Sequence, residues 1–216
     1  IYYADSSNPE NAKKITDELF TIIMRTAEGQ SIEFMWTSAK KFEVSDEDCI
    51  FINDGKTSYY SVSGPMRLGA LVANATQEQL DKLTEFGTNL GRAFQLADDI
   101  LGATSDFGGL KQAHTDIFEG KVTILLSNLM SQATVSEKSK ILSIYNKKMD
   151  DKTDEDTRFI LEKMNKYKII ESVTKLANDY KTIATKNATA RDVLRKYHHN
   201  FSDFITLPRT TINMNR

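Results

Sequence analysis

Residues 76–102 read TQEQLDKLTEFGTNLGRAFQLADDILG. The stretch opens on a capping box, Thr76 followed three residues later by Gln79, in which each side chain satisfies the other's backbone donor. Behind it Leu83, Phe86, Leu90, Phe94, Ala97 and Leu101 recur at spacings of three and four, the period of a helix with one apolar seam. Beside that seam runs a second stripe, Gly87, Gly91, Gln95, Asp98 and Gly102. A helical glycine costs about 1 kcal/mol against alanine. Two on one face therefore imply close approach by another helix or room for a ligand. The stripe ends at Asp98 and Asp99, two carboxylates in apolar surroundings. Such groups are expensive to desolvate without a cation, a donor or a metal, and the helix dipole disfavours them near a C-terminus. Either this part of the helix faces water, or the pair holds something positive. Magnesium, which takes one or two carboxylates together with phosphates and waters, is the metal this chemistry fits.

Working outward, the same period recurs. NPENAKKITDELFTIIMRTAEGQSIEFMW (8–36) starts on Asn-Pro, with proline suited to a first helical turn, and then spaces Ile15, Leu19, Ile22 and Ile23 on one face. SDEDCIFINDGKTSYYSVSGPMRLGALVA (45–73) opens on Ser45 and three acidic residues, a good helix start, and Pro65 is expected to break or kink it. Further helices are expected over 121–133, 135–148, 154–168, 169–187 and 189–205. SDFGGLKQAHTD (105–116) is the main loop signal, and NKKMDDKTDEDTR (146–158) reads as a solvated connection between helices. Three prolines and ten glycines leave little room for a turn-rich β protein. The fold class read from this is all-α, one domain over residues 1–216.

Hydrophobic content of 40% and charged content of 27% describe an ordinary globular chain. A net charge of −2 gives no general attraction to nucleic acid or anionic membrane, so any anionic ligand needs a local site. No stretch approaches the roughly 20 apolar residues of a membrane span. The single cysteine, Cys49, excludes an internal disulfide and suits a reducing compartment. Set in CIFI, it reads as a small buried hydrophobe, not a nucleophile. IYYADSSNPE (1–10) lacks the basic start and apolar core of a signal peptide, and a cytoplasmic location is expected. His114, His198 and His199 have no metal-ligand spacing with other residues.

GRAFQLADDILGATSD followed by TDIFEGKVTILL resembles the second aspartate-rich region of the trans-isoprenyl diphosphate synthases, the polyprenyl synthetase family. Over roughly residues 25–130 the order GQ…E, KT, P..LGA, FQ..DD.LG and DI.EGK.T matches that family. The resemblance implies an all-α isoprenoid-synthase bundle around a central cavity, usually a homodimer. It implies condensation of an allylic diphosphate with isopentenyl diphosphate, head to tail, giving a short- or medium-chain isoprenyl diphosphate. The allylic carbon–oxygen bond ionises, the alkene attacks the cation and a proton leaves, with Mg2+ clamped between two aspartate-rich motifs. Carried over by position, Asp98 and Asp99 bind the metal, Lys56 and Lys121 contact the diphosphate, and Lys111 reaches it from the loop. Thr57 and Gln95 lie near the cationic centre, and Gln30 and Glu33 line the cavity from a facing helix.

Two departures stand out. Gly102 occupies the place of the family's third aspartate, and Asp106, one turn on, is the alternative donor. The first aspartate-rich motif, with its paired arginines, is not found in these residues, so the N-terminal helices that carry it are expected to be missing. Two readings stay open: part of a longer synthase, or a non-catalytic diphosphate-binding or regulatory subunit of a heteromeric one. The intact second motif favours the former, because drift erodes Asp98, Asp99 and Lys121 once catalysis is lost.

Overall fold

In the computed structural model, which describes residues 9–104 and 114–186, the stretch around the aspartate pair is a single helix, Gln77–Thr104. It starts on the expected box: the Thr76 N–H donates to Gln79 Oε1 at 2.9 Å and the Gln79 N–H to Thr76 Oγ1 at 3.3 Å. Every regular element among the described residues is helical. They are α1 (Pro9–Ser38), α2 (Asp46–Asn53), α3 (Gly64–Val72), α4 (Gln77–Thr104), α5 (Thr115–Glu119), α6 (Ile124–Gln132), α7 (Val135–Tyr145), α8 (Asp154–Lys166) and α9 (Ile169–Lys186). A π-helical stretch, Asp54–Ser63, joins α2 to α3, and a 3₁₀ turn, Met149–Asp151, precedes α8. Capping boxes also start α2 (Ser45 with Asp48), α7 (Thr134 with Glu137) and α8 (Thr153 with Asp156). The helix expected at 189–205, together with Asp106, Lys111, His198 and His199, lies outside the described residues.

Three expectations need correction. Pro65 does not break the helix: the backbone stays helical through Ser63 and Gly64, and proline takes the first turn of α3. An interior proline lacks one donor and crowds the carbonyl four residues back. The π winding just upstream, in which the Gly64 N–H reaches Tyr59 O, removes that conflict by widening the turn. Phe94 is not part of the buried seam but 49% exposed, and beyond Leu90 the buried line runs through Ala93, Leu96, Ile100 and Ala103. The core side of α4 turns because its neighbours change. Leu80 and Leu83 pack with Ala70 and Leu71 of α3, Phe86 and Leu90 meet Ala184 of α9, and Leu96, Ile100 and Ala103 join the main core with Ile117, Ile124 and Leu125. Finally, the charged run 146–158 is not wholly solvated, since Lys152 and Asp156 are buried.

The short α5 was not anticipated. His114 enters it in the left-handed conformation (φ 61°), and its Nδ1 meets Ala103 O at 2.7 Å, tying the segment back to the end of α4. Gly120, at φ 70°, ends it with the left-handed turn that glycine adopts without strain. Along α1 a row of large apolar side chains is exposed: Phe20, Ile23, Met24, Phe34 and Met35. Among the described residues no helix is long and apolar enough to cross a membrane.

Candidate functional site

The glycine stripe decides how the site is built. A Cβ on Gly91 would lie 2.4 Å from Ser58 Cα, and one on Gly87 would lie 2.8 Å from Ser63 Cα. Of the two readings open for these glycines, close helix approach is the one realised: α4 and the π-helical stretch are in backbone contact. That contact brings Thr57 onto α4, where its hydroxyl donates to Gln95 Oε1 at 2.7 Å. The other end of the same amide donates to Asp99 Oδ1 at 2.8 Å and to Asp98 Oδ2 at 3.3 Å. Thr57 and Gln95 are both buried. Gln95 is thus a two-ended bridge whose orientation is fixed by a donor on one side and two acceptors on the other.

A second close approach places the first lysine. At Gly29 of α1 a Cβ would lie 3.0 Å from Lys56 N, and this proximity carries Lys56 Nζ to Glu33 Oε1 at 2.5 Å. Lys121, just after α5, pairs with Asp116 Oδ1 at 3.4 Å. Burial works against the Lys121 charge, but Asp99, Asp116, Glu33 and Asp98 outweigh it and hold its pKa above the ordinary value. Asp99 shows the opposite balance. Burial pushes its carboxyl up to about 6, against the pull of Lys121 and the Gln95 hydrogen bond. Glu33, Cys49, Lys56, Asp99 and Lys121 share a small cavity of about 10 Å³, enough for one water. The Cys49 thiol is pushed up to about 12, first by burial and then by Asp99, which fits the inert cysteine read from the sequence. Gln30 is exposed on α1 and does not line that cavity.

One member of the cluster escaped the sequence reading. Asp116 reaches into the space above Gly102, where a Cβ would meet its Oδ2 at 2.5 Å and its Cγ at 2.7 Å. The space that a side chain at 102 would take is filled by a carboxylate from another element. In the sequence the glycine at 102 and the aspartate of DI.EGK.T stood apart, with nothing to pair them. Burial raises the Asp116 pKa in spite of Lys121, and Oδ2 is buried with no hydrogen-bond partner among the described residues. Gly102→Ala should push this carboxylate off its seat without disturbing the backbone, since the crowding atoms are the end of a side chain. The Asp116 carboxyl, followed by carbon NMR, should then titrate nearer the ordinary aspartate range. An unchanged titration would count against this packing.

As a donor set the site offers hard oxygens: the adjacent carboxylates of α4 and the orphaned Asp116 Oδ2. Among the described residues no three Asp, Glu, His or Cys side chains close into a metal cage. The residues therefore suit a magnesium ion that takes one or two carboxylates and completes its shell with phosphates and waters.

Residues 2–164 match the family described as polyprenyl synthetase. A geranylgeranyl diphosphate synthase of Saccharolobus solfataricus is 35% identical over 169 residues, covering 77% of this chain and 49% of the relative. One from Sulfolobus acidocaldarius is 34% identical over 127 residues, covering 58% of this chain and 38% of the relative. Among solved structures, a geranylgeranyl pyrophosphate synthase from Corynebacterium glutamicum, complexed with isoprenyl diphosphate and magnesium, superposes with a TM-score of 0.75 at 25% identity. That alignment covers 87% of this chain and 54% of the other. The chain spans about half the length, or less, of the curated relatives it matches.

Proposed function

Because the chain belongs to the polyprenyl synthetase family, we propose that it carries the diphosphate-binding half of a prenyltransferase site. The reaction joins an allylic diphosphate to isopentenyl diphosphate, head to tail, to give a longer isoprenyl diphosphate. The observation that carries this reading is the Thr57–Gln95–Asp98/Asp99 bridge set between Lys56 and Lys121. Asp98 and Asp99 would hold Mg2+, which when bound neutralises the leaving diphosphate. Lys56 and Lys121 are each held by a carboxylate of the protein, so an incoming diphosphate shares or displaces those partners and gains charge-assisted bonds. Thr57 and Gln95 place two neutral oxygens beside the reacting carbon, dipoles that favour a cation without offering a strong base.

The intact set of acids and lysines supports catalysis over a relict subunit. The exposed apolar row of α1 supports further helices covering that face, which would bring the opposite half of the metal clamp. Cytoplasmic residence and a homodimer complete the reading, the first supported by the single cysteine and the second by membership of the family. Inorganic diphosphate, titrated calorimetrically with and without Mg2+, tests the site. Binding should require the metal and weaken about 10- to 100-fold in Lys56→Met and in Lys121→Met, the range of one lost charged hydrogen bond. Metal-independent binding, or binding indifferent to both lysines, would overturn the assignment.

A further inference from the structure

Lys152 stands apart from the other lysines of this protein. It belongs to a charged run whose composition predicts solvent, yet it is only 7% exposed. No carboxylate lies within ion-pair distance of it among the described residues. Its ammonium donates to two carbonyl oxygens of α5, Ile117 O at 2.9 Å and Phe118 O at 2.7 Å. The ring of Tyr145, on α7, lies 5.5 Å away. A Cβ at Gly120 would come within 3.1 Å of Nζ, so the lysine also fits closely under the left-handed turn that ends α5. Burial holds its pKa down to about 8, with Asp156 opposing and Lys40 adding to the effect. A buried ammonium without a counter-ion is costly, and these carbonyls, at the negative end of a helical turn, are what offsets it.

What the turn does next connects this lysine to the site. The Lys121 N–H donates back to Asp116 O at 2.9 Å, and the Gly120 N–H to Ile117 O at 3.2 Å. Residues 116–121 are therefore one closed loop with Asp116 and Lys121 at its mouth, facing Asp99. Lys152 grips the same loop from behind. We propose that Lys152 is a positioning residue: by holding the carbonyls of Ile117 and Phe118 it fixes the turn that presents Lys121 to a bound diphosphate. It touches neither diphosphate nor metal and acts through Lys121. The inference rests on the diphosphate reading of the site.

The test uses the full chain, inorganic diphosphate with Mg2+ as the probe, and calorimetric affinity as the readout. Lys152→Met keeps the aliphatic stem and removes the donors. It should weaken diphosphate about 10-fold, and Lys152→Arg should stay within about threefold of wild type, because the fork still reaches the carbonyls. In a Lys121→Met background the same Lys152→Met change should cost less than twofold, since a residue acting through Lys121 has nothing left to position. Amide hydrogen exchange should accelerate over residues 115–121 in Lys152→Met and stay unchanged in α7 and α9. If Lys152→Met does not fold, Lys152→Gln against Lys152→Arg carries the comparison, with Gln losing affinity and Arg retaining it. Unchanged affinity in the Met or Gln variant, or losses that simply add to that of Lys121→Met, would overturn the proposal while leaving the diphosphate site standing. Diphosphate binding that ignores Lys121→Met would overturn both together.

Discussion

Asp99→Asn is expected to abolish function and to make the protein more stable at neutral pH. Asp99 is 3% exposed, and burial raises its carboxyl from the ordinary 3.8 to about 6. Between those two values the folded state keeps a proton that the unfolded state has released. Native stability therefore falls as pH rises through that window, and the penalty is complete above pH 6. By linkage it amounts to on the order of 2–3 kcal/mol at pH 7. Asparagine removes the charge, keeps an oxygen to accept from Gln95, and leaves Asp116 to pair with Lys121. Melting should rise by several degrees at pH 7, and the gain should vanish below about pH 4, where both states are protonated. Condensation in the complete protein should fall by two or more orders of magnitude, the scale of one lost preorganised electrostatic group. Wild-type turnover in this variant would sink the site assignment. A lower melting temperature at pH 7 would show that the buried carboxylate is compensated better than its burial suggests.

Gly91→Ala is the second large expectation, and here two effects compete. Alanine gains up to about 1 kcal/mol of helix propensity over glycine. Against this, the new methyl would sit 2.4 Å from Ser58 Cα and 2.6 Å from Ser58 Cβ, and overpacking of this kind costs about 1–3 kcal/mol. The nearest atom belongs to the backbone, so no side-chain rotation relieves it, and the clash should win. Melting should drop by a few degrees. The Thr57–Gln95 bond should lengthen as the π-helical stretch moves off α4, and diphosphate affinity should fall with it. Gly69→Ala is the internal control: nothing lies within 4 Å of a Cβ there, and that variant should be neutral or slightly more stable. If both alanines behave alike, the backbone contact at Gly91 is not as close as described.

Much of this was legible in the sequence, for identifiable reasons. Helices long enough to repeat their apolar spacing, such as α1, α4, α8 and α9, announced themselves, and Thr76 with Gln79 marked a start correctly. The family resemblance placed Asp98, Asp99, Lys56, Thr57, Gln95 and Lys121 in one region, and all of these converge in the fold. What stayed hidden depends on contacts between distant segments. The π winding at 54–63 has no local signature and forms where glycines on α1 and α4 let two helices press on it. At five residues, α5 is too short to show a period. Asp116 was invisible as a neighbour of Gly102 because the two lie fourteen positions apart, on different helices. Lys152 was misread because composition speaks for a run of residues, and its burial is the property of one.

The π-helical stretch also bears on which genetic changes this protein can survive. Each residue wound with i→i+5 bonds turns the chain less than an α-helical residue does, so Asp54–Ser63 sets the rotation between α2 and α3 by its length as well as its chemistry. Point changes at its solvent-facing Tyr60 and Ser61 leave that rotation alone. Loss of a single codon between Lys56 and the end of the stretch does not: every remaining side chain would keep its identity, yet Lys56 and Arg67 would no longer face Glu33 and Glu18 at the same time. In this segment the reading frame of the helix, not the alphabet, is the inherited constraint.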